Sequence, residues 1–520
     1  MAHARTCSAV MLGVEGHLIE VEAHISAGLP AMSIVGLPDA AVGESRDRAR
    51  SAVLNSGLTW PATRVTIGLS PAWLPKTGPG LDLAIAMAAL AAADTVPRQS
   101  VAGTLIVGEL SLDGRVRPVR GVLVAAAAAA RGGLARIIVP RANEAEAMLV
   151  PGVSALGVSS LAELVARLRG DELPDGLDDV EVPRSPDDSA PGGPASLDLA
   201  DVRGHHFARL GLELAAAGGH HLAMLGPPGV GKTLLAERLV GILPDLSDEA
   251  ALEVTGVHSV AGQLPARVGL IRRPPLSAPH HTATFAALVG GGGGRSPRVG
   301  LVSLAHRGVL FLDEAPEFAP AVLDALRQPM ESGEVTIARV GFTARLPARF
   351  QLVLAANPCP CGRAASPGSD DECTCSSLQR RRYLSRLSGP LLDRVDIRLV
   401  LERPTADDLL LDGPRPEGSA AVAARVEEAR ARSALRLHDS AWTTNAEVPG
   451  AELRRTHRLD PSGAAALDTL ARSPRSSARG LDRVARLAWT VADLRGHDRP
   501  DEQDVLTAQE ARTGRGMWAA

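Results

Sequence analysis

The sequence predicts an α/β protein, because strand-like and helix-like segments alternate on both sides of an acidic linker and helical patterns alone follow. The first alternating part covers residues 1–170, and the linker covers residues 171–196. The second alternating part, residues 197–401, contains the motifs with recognisable phosphate chemistry. Residues 402–512 show helical periodicity, and residues 513–520 are a short tail. We therefore predict three folded domains.

Each element is predicted by its own local pattern. The first part has period-two strands, namely LIEVEAHI, TRVTIGLS, GTLIVGELSL and LARIIVP, and alanine-rich helices, namely DLAIAMAALAAA and GVLVAAAAAARGG. Between residues 171 and 200, nine acidic residues accompany one basic residue, Arg184, together with Pro, Gly and Ser, which is typical of a flexible linker. The last part contains amphipathic helices such as AAVAARVEEARARSALRL and ARGLDRVARLAWTVADLRG.

Composition excludes several classes of protein. The 520 residues carry a formal net charge of -4 and 45% hydrophobic residues, so the chain is not disordered as a whole. The longest apolar run, Leu83–Ala93, is shorter than the ~18 to 20 residues of a membrane span. We expect no membrane association and no secretion signal. The five cysteines fit a reducing cytoplasm better than a disulfide framework. Near-neutral charge still permits a local surface for nucleic acid.

A phosphate-binding loop is the strongest motif. Only two of the 55 basic residues are lysines, Lys76 and Lys232, and Lys232 lies in a G-x-x-x-x-G-K-T sequence between an apolar strand and an amphipathic helix. The loop cradles phosphates with backbone N–H groups, the lysine adds a compact charge, and the threonine hydroxyl binds Mg²⁺. The predicted ATP and Mg²⁺ ligands are Gly226, Pro227, Pro228, Gly229, Val230, Gly231, Lys232 and Thr233.

Polar side chains follow two further apolar strands. Asp313 and Glu314 end the segment GVLFLDE, and Asn357 ends the segment FQLVLAANP. We expect Asp313 to hold Mg²⁺ through water and Glu314 to polarise the attacking water, which Asn357 would help to orient. Arg394 and Arg479 are candidates for stabilising the transition-state charge, although position alone would fit a surface salt bridge for either arginine.

These segments resemble the magnesium-chelatase-like AAA+ ATPases of the ComM/YifB family. The resemblance is carried by AAAGGHHLAMLGPPGVGKT, EVTGVHSVAG, APHHT, SLAHRGVLFLDEAPEF, AANPCPCG and RRYLSRLSGPLLDRVDI, in family order, and by SIVGLPDAAVGESRDRARSAV and LPKTGPGLDLAIAM near the N-terminus. It implies a P-loop α/β core with a C-terminal helical lid and a ring of subunits, expected to be hexameric. The resemblance also implies that Asn357 is the sensor-1 residue and that Arg479 is the sensor-2 residue. It implies that Arg394 is an arginine finger, which acts on the neighbouring subunit.

The first part resembles the peptidase domain of Lon proteases, a ribosomal S5 domain 2-like fold. Gly80 stands where Lon has its nucleophilic serine, and Leu123 stands where Lon has its lysine. A Ser–Lys dyad requires both groups, so we expect no peptidase activity. Lys76 lies nearby in another motif, and either a structural or a partner-binding role fits it.

Four cysteines and three histidine pairs are the candidate metal ligands. Cys359, Cys361, Cys373 and Cys375 could bind Zn²⁺, remain free thiols or form a redox disulfide. The histidine pairs are poor metal sites, because adjacent side chains point in different directions. They are His205–His206, His220–His221 and His280–His281.

Arginines on loops could bind nucleic acid. The segment GEVTIARVGFTARLPARF predicts a β-hairpin, which related AAA+ proteins project towards the central pore, and LVGGGGGRSPR predicts a flexible loop. The basic candidates are Arg295, Arg298, Arg339, Arg345 and Arg349. The run QRRRYLSR could contact a DNA backbone or pair with acids at a subunit interface. It comprises Arg380, Arg381, Arg382, Tyr383 and Arg386.

The leading hypothesis is an ATP-hydrolysing ring motor that acts on DNA, as the ComM resemblance implies for branch migration in DNA uptake and recombination. A chelatase-type motor that remodels a protein partner is one alternative, although such motors lack the Lon-like domain. The other is a scaffold in which the inactive Lon-like domain recruits partners.

Overall fold

The computed structural model covers most of the chain. It describes residues 2–174, 197–264, 269–291, 298–339, 342–364, 373–403, 416–474 and 476–514. Most of the predicted linker, the end of the predicted tail, Arg295 and the side chain of Arg339 lie outside the described residues.

A seven-stranded mixed sheet organises the N-terminal part. Its strands are β1 (Ala2–Leu12), β2 (Glu15–Ser26), β3 (Ala31–Val35), β4 (Arg64–Ser70), β5 (Thr104–Ile106), β8 (Arg136–Pro140) and β9 (Ser154–Val158). Two short strands, β6 (Glu109–Leu110) and β7 (Val116–Arg117), pair separately. The order is β3-β4-β2-β1-β5-β8-β9, with antiparallel pairing of β1 with β2 and of β2 with β4, and parallel pairing elsewhere. The segment GTLIVGELSL, predicted as one strand, is interrupted between β5 and β6.

Helices cover this sheet, and the apolar Asp82–Ala92 is the central one. All of its residues are buried, as expected for a helix that is apolar on every side. Its first residue, Asp82, accepts hydrogen bonds from the Arg48 guanidinium at 2.7 and 3.0 Å, which compensates the buried carboxylate. The helices of this part are Ala40–Asn55, Asp82–Ala92, Arg98–Val101, Val122–Arg131, Glu144–Ala147 and Leu161–Arg169.

A five-stranded parallel sheet forms the second α/β part. Its strands are β10 (Leu222–Leu225), β11 (Leu276–Ser277), β14 (Val309–Leu312), β17 (Gln351–Ala356) and β18 (Ile397–Val400), in the order β11-β14-β17-β10-β18. Strands β10, β14 and β17 are buried along their whole length, as continuous apolar runs predict for a covered parallel sheet. Because the strands are parallel, the chain leaves all of them at the same edge of the sheet.

Helices and two antiparallel pairs surround this sheet. The helices are His206–Gly218, Lys232–Leu239, Asp248–Ala261, Phe285–Val289, Leu301–Leu304, Pro320–Asp324, Arg327–Ser332, Ser377–Leu384 and Gly389–Leu392. The predicted hairpin is present as β15 (Glu334–Arg339) and β16 (Phe342–Pro347), directly before β17. The ends of the glycine-rich loop pair as β12 (Gly290–Gly291) and β13 (Arg298–Val299).

Described residues 416–474 and 476–514 contain helices and no strand, as their periodicity predicts. These helices are Ser419–Leu437, Gly450–Arg455, Pro461–Ala471, Ala478–Arg495 and Glu502–Thr513. None of the described helices is long and apolar enough to cross a membrane.

A buried polar network joins these helices to the parallel sheet. His220 precedes β10, and its ring nitrogens lie 3.2 Å from Asp396 Oδ2 and 2.8 Å from Thr490 Oγ1. Arg483 also pairs with Asp396. Burial raises the pKa of Asp396, but the hydrogen bond from His220 and the charge of Arg483 outweigh it and hold the pKa well below its usual range. His220 therefore links the parallel sheet to the C-terminal helices through Asp396 and Thr490.

The N-terminal part packs on the second part through specific contacts. Ser259, on the helix Asp248–Ala261, donates a hydrogen bond to Glu146, which also accepts the backbone N–H of Leu123 at 2.9 Å. Gly13, in the turn between β1 and β2, packs closely against the hairpin. A Cβ atom added to Gly13 would lie 3.1 Å from Leu346 Cδ2. The N-terminal part therefore supports the base of the arginine-bearing hairpin.

A buried histidine makes stability depend on pH. His306 is 3% exposed, and its Nδ1 accepts the Arg349 N–H at 3.1 Å, so its other ring nitrogen carries the proton and faces Glu253. Burial lowers its pKa from the ordinary 6.5 to about 4. Between these two values the unfolded chain binds a proton that the folded chain does not, so stability falls as pH decreases from about 6.5 to about 4.

We therefore expect His306→Gln to reduce this acid-dependent loss by up to about 3 kcal/mol. The measurement is the free energy of unfolding in denaturant at pH 7 and at pH 4.5. The matched control is His438→Gln, at a histidine whose side chain is 66% exposed. An equal pH dependence in wild type and His306→Gln would contradict the assignment.

Candidate nucleotide-binding and hydrolysis site

Three neighbouring strands end in the predicted site. The P-loop starts at Gly226 directly after β10, Asp313 follows β14, and Asn357 follows β17. Strand β17 pairs with both β10 and β14, so these three groups leave the sheet side by side. Their convergence follows from parallel pairing of three strands that are far apart in sequence.

The P-loop has the backbone that phosphate binding requires. Gly231 has φ +97°, a conformation that favours glycine, and the helix Lys232–Leu239 begins at the next residue. Val230 is 3% exposed and anchors the loop in the core. The helix N-terminus therefore opens directly onto the loop and favours a bound anion.

Lys232 reaches across the loop to the neighbouring strand. Its side chain is 8% exposed, and Nζ donates to the Gly226 carbonyl at 2.7 Å, the Pro227 carbonyl at 2.9 Å and Asn357 Oδ1 at 2.9 Å. Burial lowers the pKa of this ammonium group, while the charges of Asp313 and Glu314 oppose the shift. The P-loop and the end of β17 therefore hold this compact cation in a fixed position.

Two oxygen ligands suited to Mg²⁺ lie together beside Lys232. Thr233 Oγ1 donates to Asp313 Oδ2 at 2.7 Å. The other carboxylate oxygen of Asp313 accepts the Glu314 N–H at 2.8 Å, which fixes the carboxylate plane. Hydroxyl and carboxylate oxygens are preferred Mg²⁺ ligands, so the residues present fit the metal that accompanies ATP.

Glu314 has an unusual backbone and a neighbour that the sequence did not identify. Its φ is +49°, which turns the residue out of the strand direction, and it is exposed. His281 Nδ1 lies 3.6 Å from Glu314 Oε2, whereas His280 Nδ1 lies 2.9 Å from Thr282 Oγ1. The two rings lie against each other with centroids 4.1 Å apart, so the expectation that adjacent histidines point in different directions is wrong for this pair, and only His281 faces Glu314.

The two candidate arginines lie in different environments. The Arg394 side chain is 15% exposed, pairs with Glu331 of its own chain, and donates to the Pro390 carbonyl at 2.6 Å. Its Nε is buried without a partner among the described residues. Arg479 is exposed in the first turn of the helix Ala478–Arg495. The structure gives neither arginine a contact with the P-loop of its own chain among the described hydrogen bonds.

The four cysteines are adjacent to this site. Cys359 lies two residues after Asn357, and the four sulfur atoms all lie within 4.8 Å of one another. All five cysteines of the chain are free thiols, so the redox disulfide is not formed in this structure.

The described arginines of the loops are mostly exposed. Arg298, Arg345 and Arg349 are exposed, and the latter two line a cleft of about 770 Å³ between the hairpin and the N-terminal part. In the basic run, Arg386 donates to the Pro316 carbonyl at 3.0 Å, and Tyr383 is 4% exposed. The run is therefore partly used within its own chain.

Comparisons with known proteins agree with this geometry. The family descriptions that match are subunit ChlI of magnesium chelatase at residues 21–143, magnesium chelatase subunit ChlI at residues 198–409, and its C-terminal region at residues 416–512. YifB of Escherichia coli is 41% identical over 96% of this chain and 93% of its own length. The competence protein ComM of Haemophilus influenzae is 39% identical over 95% of this chain and 94% of its own length. The chain belongs to the ComM/YifB family.

A further full-length similarity is to a mycobacterial protein. The uncharacterized protein Rv2897c of Mycobacterium tuberculosis is 49% identical over 98% of this chain and 99% of its own length. The magnesium-chelatase-like AAA+ assignment indicates an ATPase that uses ATP and Mg²⁺ in an oligomeric assembly. The predicted ComM/YifB family membership is thus confirmed over nearly the whole chain.

A shorter similarity covers about a quarter of this ComM/YifB member. Lon protease of Brevibacillus choshinensis is 28% identical over 143 residues, or 26% of this chain. Leu123 is 1% exposed, and a Cβ at Gly80 would find its nearest neighbour, Val107, 3.9 Å away. Lys76 is fully buried and donates to the Pro71 carbonyl, which favours its structural role over partner binding.

Proposed function

We propose that this protein is an ATP-hydrolysing ring motor that acts on DNA. The observation that carries the ATPase part is the convergence of Lys232, Thr233, Asp313 and Asn357 at the ends of three parallel strands, with Lys232 bonded to Asn357. A helix N-terminus and a buried lysine recognise phosphate, and the Thr233–Asp313 pair fits Mg²⁺.

The proposed roles follow from the position of each side chain. Lys232 binds the phosphates from within the loop, and Thr233 and Asp313 hold Mg²⁺, which neutralises charge on the phosphate oxygens. Glu314 accepts the proton of the attacking water, for which its exposed carboxylate is free to move. Asn357, whose Oδ1 lies 2.9 Å from Lys232 Nζ, orients the attacking water and senses the bound phosphates.

Two arginines complete the proposed site in a ring. Arg394 acts on the nucleotide of the neighbouring subunit, and Arg479 approaches its own nucleotide from the helical lid. The proposed ring is hexameric. The proposed division is a Lon-like domain at 1–170, a linker at 171–196, an AAA+ core at 197–401 and a lid at 402–512. We also propose a cytoplasmic location, because the sequence has five cysteines, four of them between residues 359 and 375, which is not the pattern of a disulfide framework.

The proposed DNA substrate is supported by two features. One relative, matched over 94% of its length, is named a competence protein, and Arg298 of the glycine-rich loop and Arg345 of the hairpin are exposed. Arginines on loops of a ring would contact phosphates without reading sequence. The substrate class then includes branched DNA, as branch migration during uptake and recombination requires.

The decisive experiment measures ATP turnover with and without single-stranded and double-stranded DNA, together with strand displacement on a branched substrate. Stimulation by DNA with ATP-dependent displacement is the expected result. If DNA does not bind and does not change the rate of ATP turnover, the proposed DNA translocase is wrong, while the proposed ATPase activity is unaffected.

We expect the double substitution Arg298→Ala and Arg345→Ala to weaken DNA binding and to reduce the slope of log affinity against log salt by about 2. Each arginine removed eliminates about one phosphate contact. The measurement is fluorescence anisotropy of a labelled oligonucleotide at several salt concentrations. The matched control is Arg46→Ala, an exposed arginine of the N-terminal part. An unchanged salt slope would exclude these two arginines from the DNA path.

A further inference from the structure

The cysteine cluster has the dimensions of a tetrahedral metal site. The sulfur atoms of Cys359 and Cys361 are 3.3 Å apart, those of Cys359 and Cys373 are 3.7 Å apart, and those of Cys361 and Cys373 are 3.6 Å apart. Cys375 lies within 4.8 Å of all three. Four sulfurs bound to Zn²⁺ at about 2.3 Å would be separated by about 3.8 Å. A disulfide would need about 2.05 Å, so the spacing fits a shared ion better than a covalent pair.

The backbone around the sulfurs supports the same geometry. The Ala364 N–H donates to Cys359 Sγ at 3.4 Å. The turn closes with the Gly362 N–H donating to the Cys359 carbonyl at 3.0 Å. Backbone N–H groups directed at sulfur stabilise thiolates, which are the form that binds a metal. The turn therefore directs a backbone N–H group at one of the four sulfurs.

This turn rests directly on the P-loop. Gly362 has φ +73°, and a Cβ at this position would lie 2.5 Å from Pro228 Cγ and 2.7 Å from Pro228 Cδ. The contact is possible only for a residue without a side chain. The same turn begins two residues after Asn357, whose Oδ1 binds Lys232. The cysteine cluster thus lies between the end of β17 and the loop that would hold the phosphates.

We propose that Cys359, Cys361, Cys373 and Cys375 bind one structural Zn²⁺, and that this ion holds the Cys359–Gly362 turn against Pro228. The four thiols release their protons when the ion binds, and the four thiolates close its coordination shell. The metal has no open position and takes no part in hydrolysis. Its effect on ATP is mechanical, because it fixes the P-loop and Asn357 relative to each other.

Metal analysis tests the ion itself, independently of ATPase activity. Protein purified without chelator should contain about one zinc ion per chain, which a mercurial reagent should release as it titrates four protected thiols. Cys373→Ser should lose the zinc, and Cys7→Ser, at the cysteine outside the cluster, should keep it. Cobalt substitution should give the visible spectrum of tetrahedral sulfur ligation. Zinc-free protein with freely titratable thiols, or with a disulfide among these four, would overturn the proposal.

Nucleotide affinity tests the mechanical part. We expect Cys373→Ser to weaken binding of a fluorescent ATP analogue by about tenfold relative to Cys7→Ser, because the loop is no longer held. Cys373→His should restore both zinc and affinity, since histidine is also a zinc ligand, and this rescue separates loss of the ion from general misfolding. If the zinc-free variant binds the analogue as tightly as Cys7→Ser, the ion does not act on the P-loop.

Discussion

Replacement of Lys232 by alanine is expected to lower ATP turnover by about 10³-fold or more and to weaken ATP binding. Its Nζ is the compact cation that the P-loop encloses, with two loop carbonyls and Asn357 Oδ1 within 2.9 Å. No nearby arginine can replace it, because a planar guanidinium does not fit a pocket built for an ammonium group. The measurement is steady-state phosphate release, with nucleotide binding measured in parallel.

The matched variant Glu314→Gln should behave differently. It removes the proposed base while keeping Lys232 and the Thr233–Asp313 pair, so ATP should bind but hydrolysis should fall by about 10²- to 10³-fold. If Lys232→Ala hydrolyses ATP at more than a tenth of the wild-type rate, the site is not the one that turns ATP over. If Glu314→Gln hydrolyses normally, another group takes the proton.

The groups that the sequence predicted best are those fixed by short motifs. The strands β10, β14 and β17, the P-loop and Asp313 are each determined by fewer than about a dozen consecutive residues, and local pattern is sufficient for them. Their convergence was also predictable, because carboxyl ends of parallel strands share one edge. The long helices Ser419–Leu437 and Ala478–Arg495 were predicted for the same reason, since many turns repeat one amphipathic pattern.

What the sequence missed depends on contacts between distant segments. His281 lies beside Glu314 only because the chain between them returns to the same edge of the sheet. The Thr490–His220 bond joins residues separated by 270 positions. The interruption of the segment GTLIVGELSL also depends on a contact between distant residues. The Gly108 N–H donates a hydrogen bond to the Gly80 carbonyl, and the chain leaves the strand direction at this point. No local periodicity contains this information.

The side chain of Arg394 already has hydrogen-bond and ion-pair partners in its own chain. It pairs with Glu331, and it lies in a cleft of about 800 Å³ whose walls also include Arg430, Arg483 and Arg486. The P-loop is not part of those walls. The walls hold six arginines against the four acids Asp245, Glu331, Asp396 and Glu447, and this excess of positive charge suits phosphate oxygens from outside. We propose that Arg394 acts on a neighbouring subunit and that phosphate there would replace Glu331 as its partner.

We expect Arg394→Ala to lower ATP turnover by about 10³-fold, because charge that develops on the transferred phosphate loses its partner. The role in trans predicts recovery when this variant is mixed with Lys232→Ala. In a one-to-one mixture, about a quarter of the interfaces combine an intact P-loop with an intact Arg394, and phosphate release should reach up to that share of wild type.

The matched control is Arg479→Ala, which should not recover with Lys232→Ala, because the lid arginine and the P-loop it serves belong to one chain. Recovery by Arg479→Ala and none by Arg394→Ala would reverse the two assignments, and full activity of Arg394→Ala alone would remove it from the site.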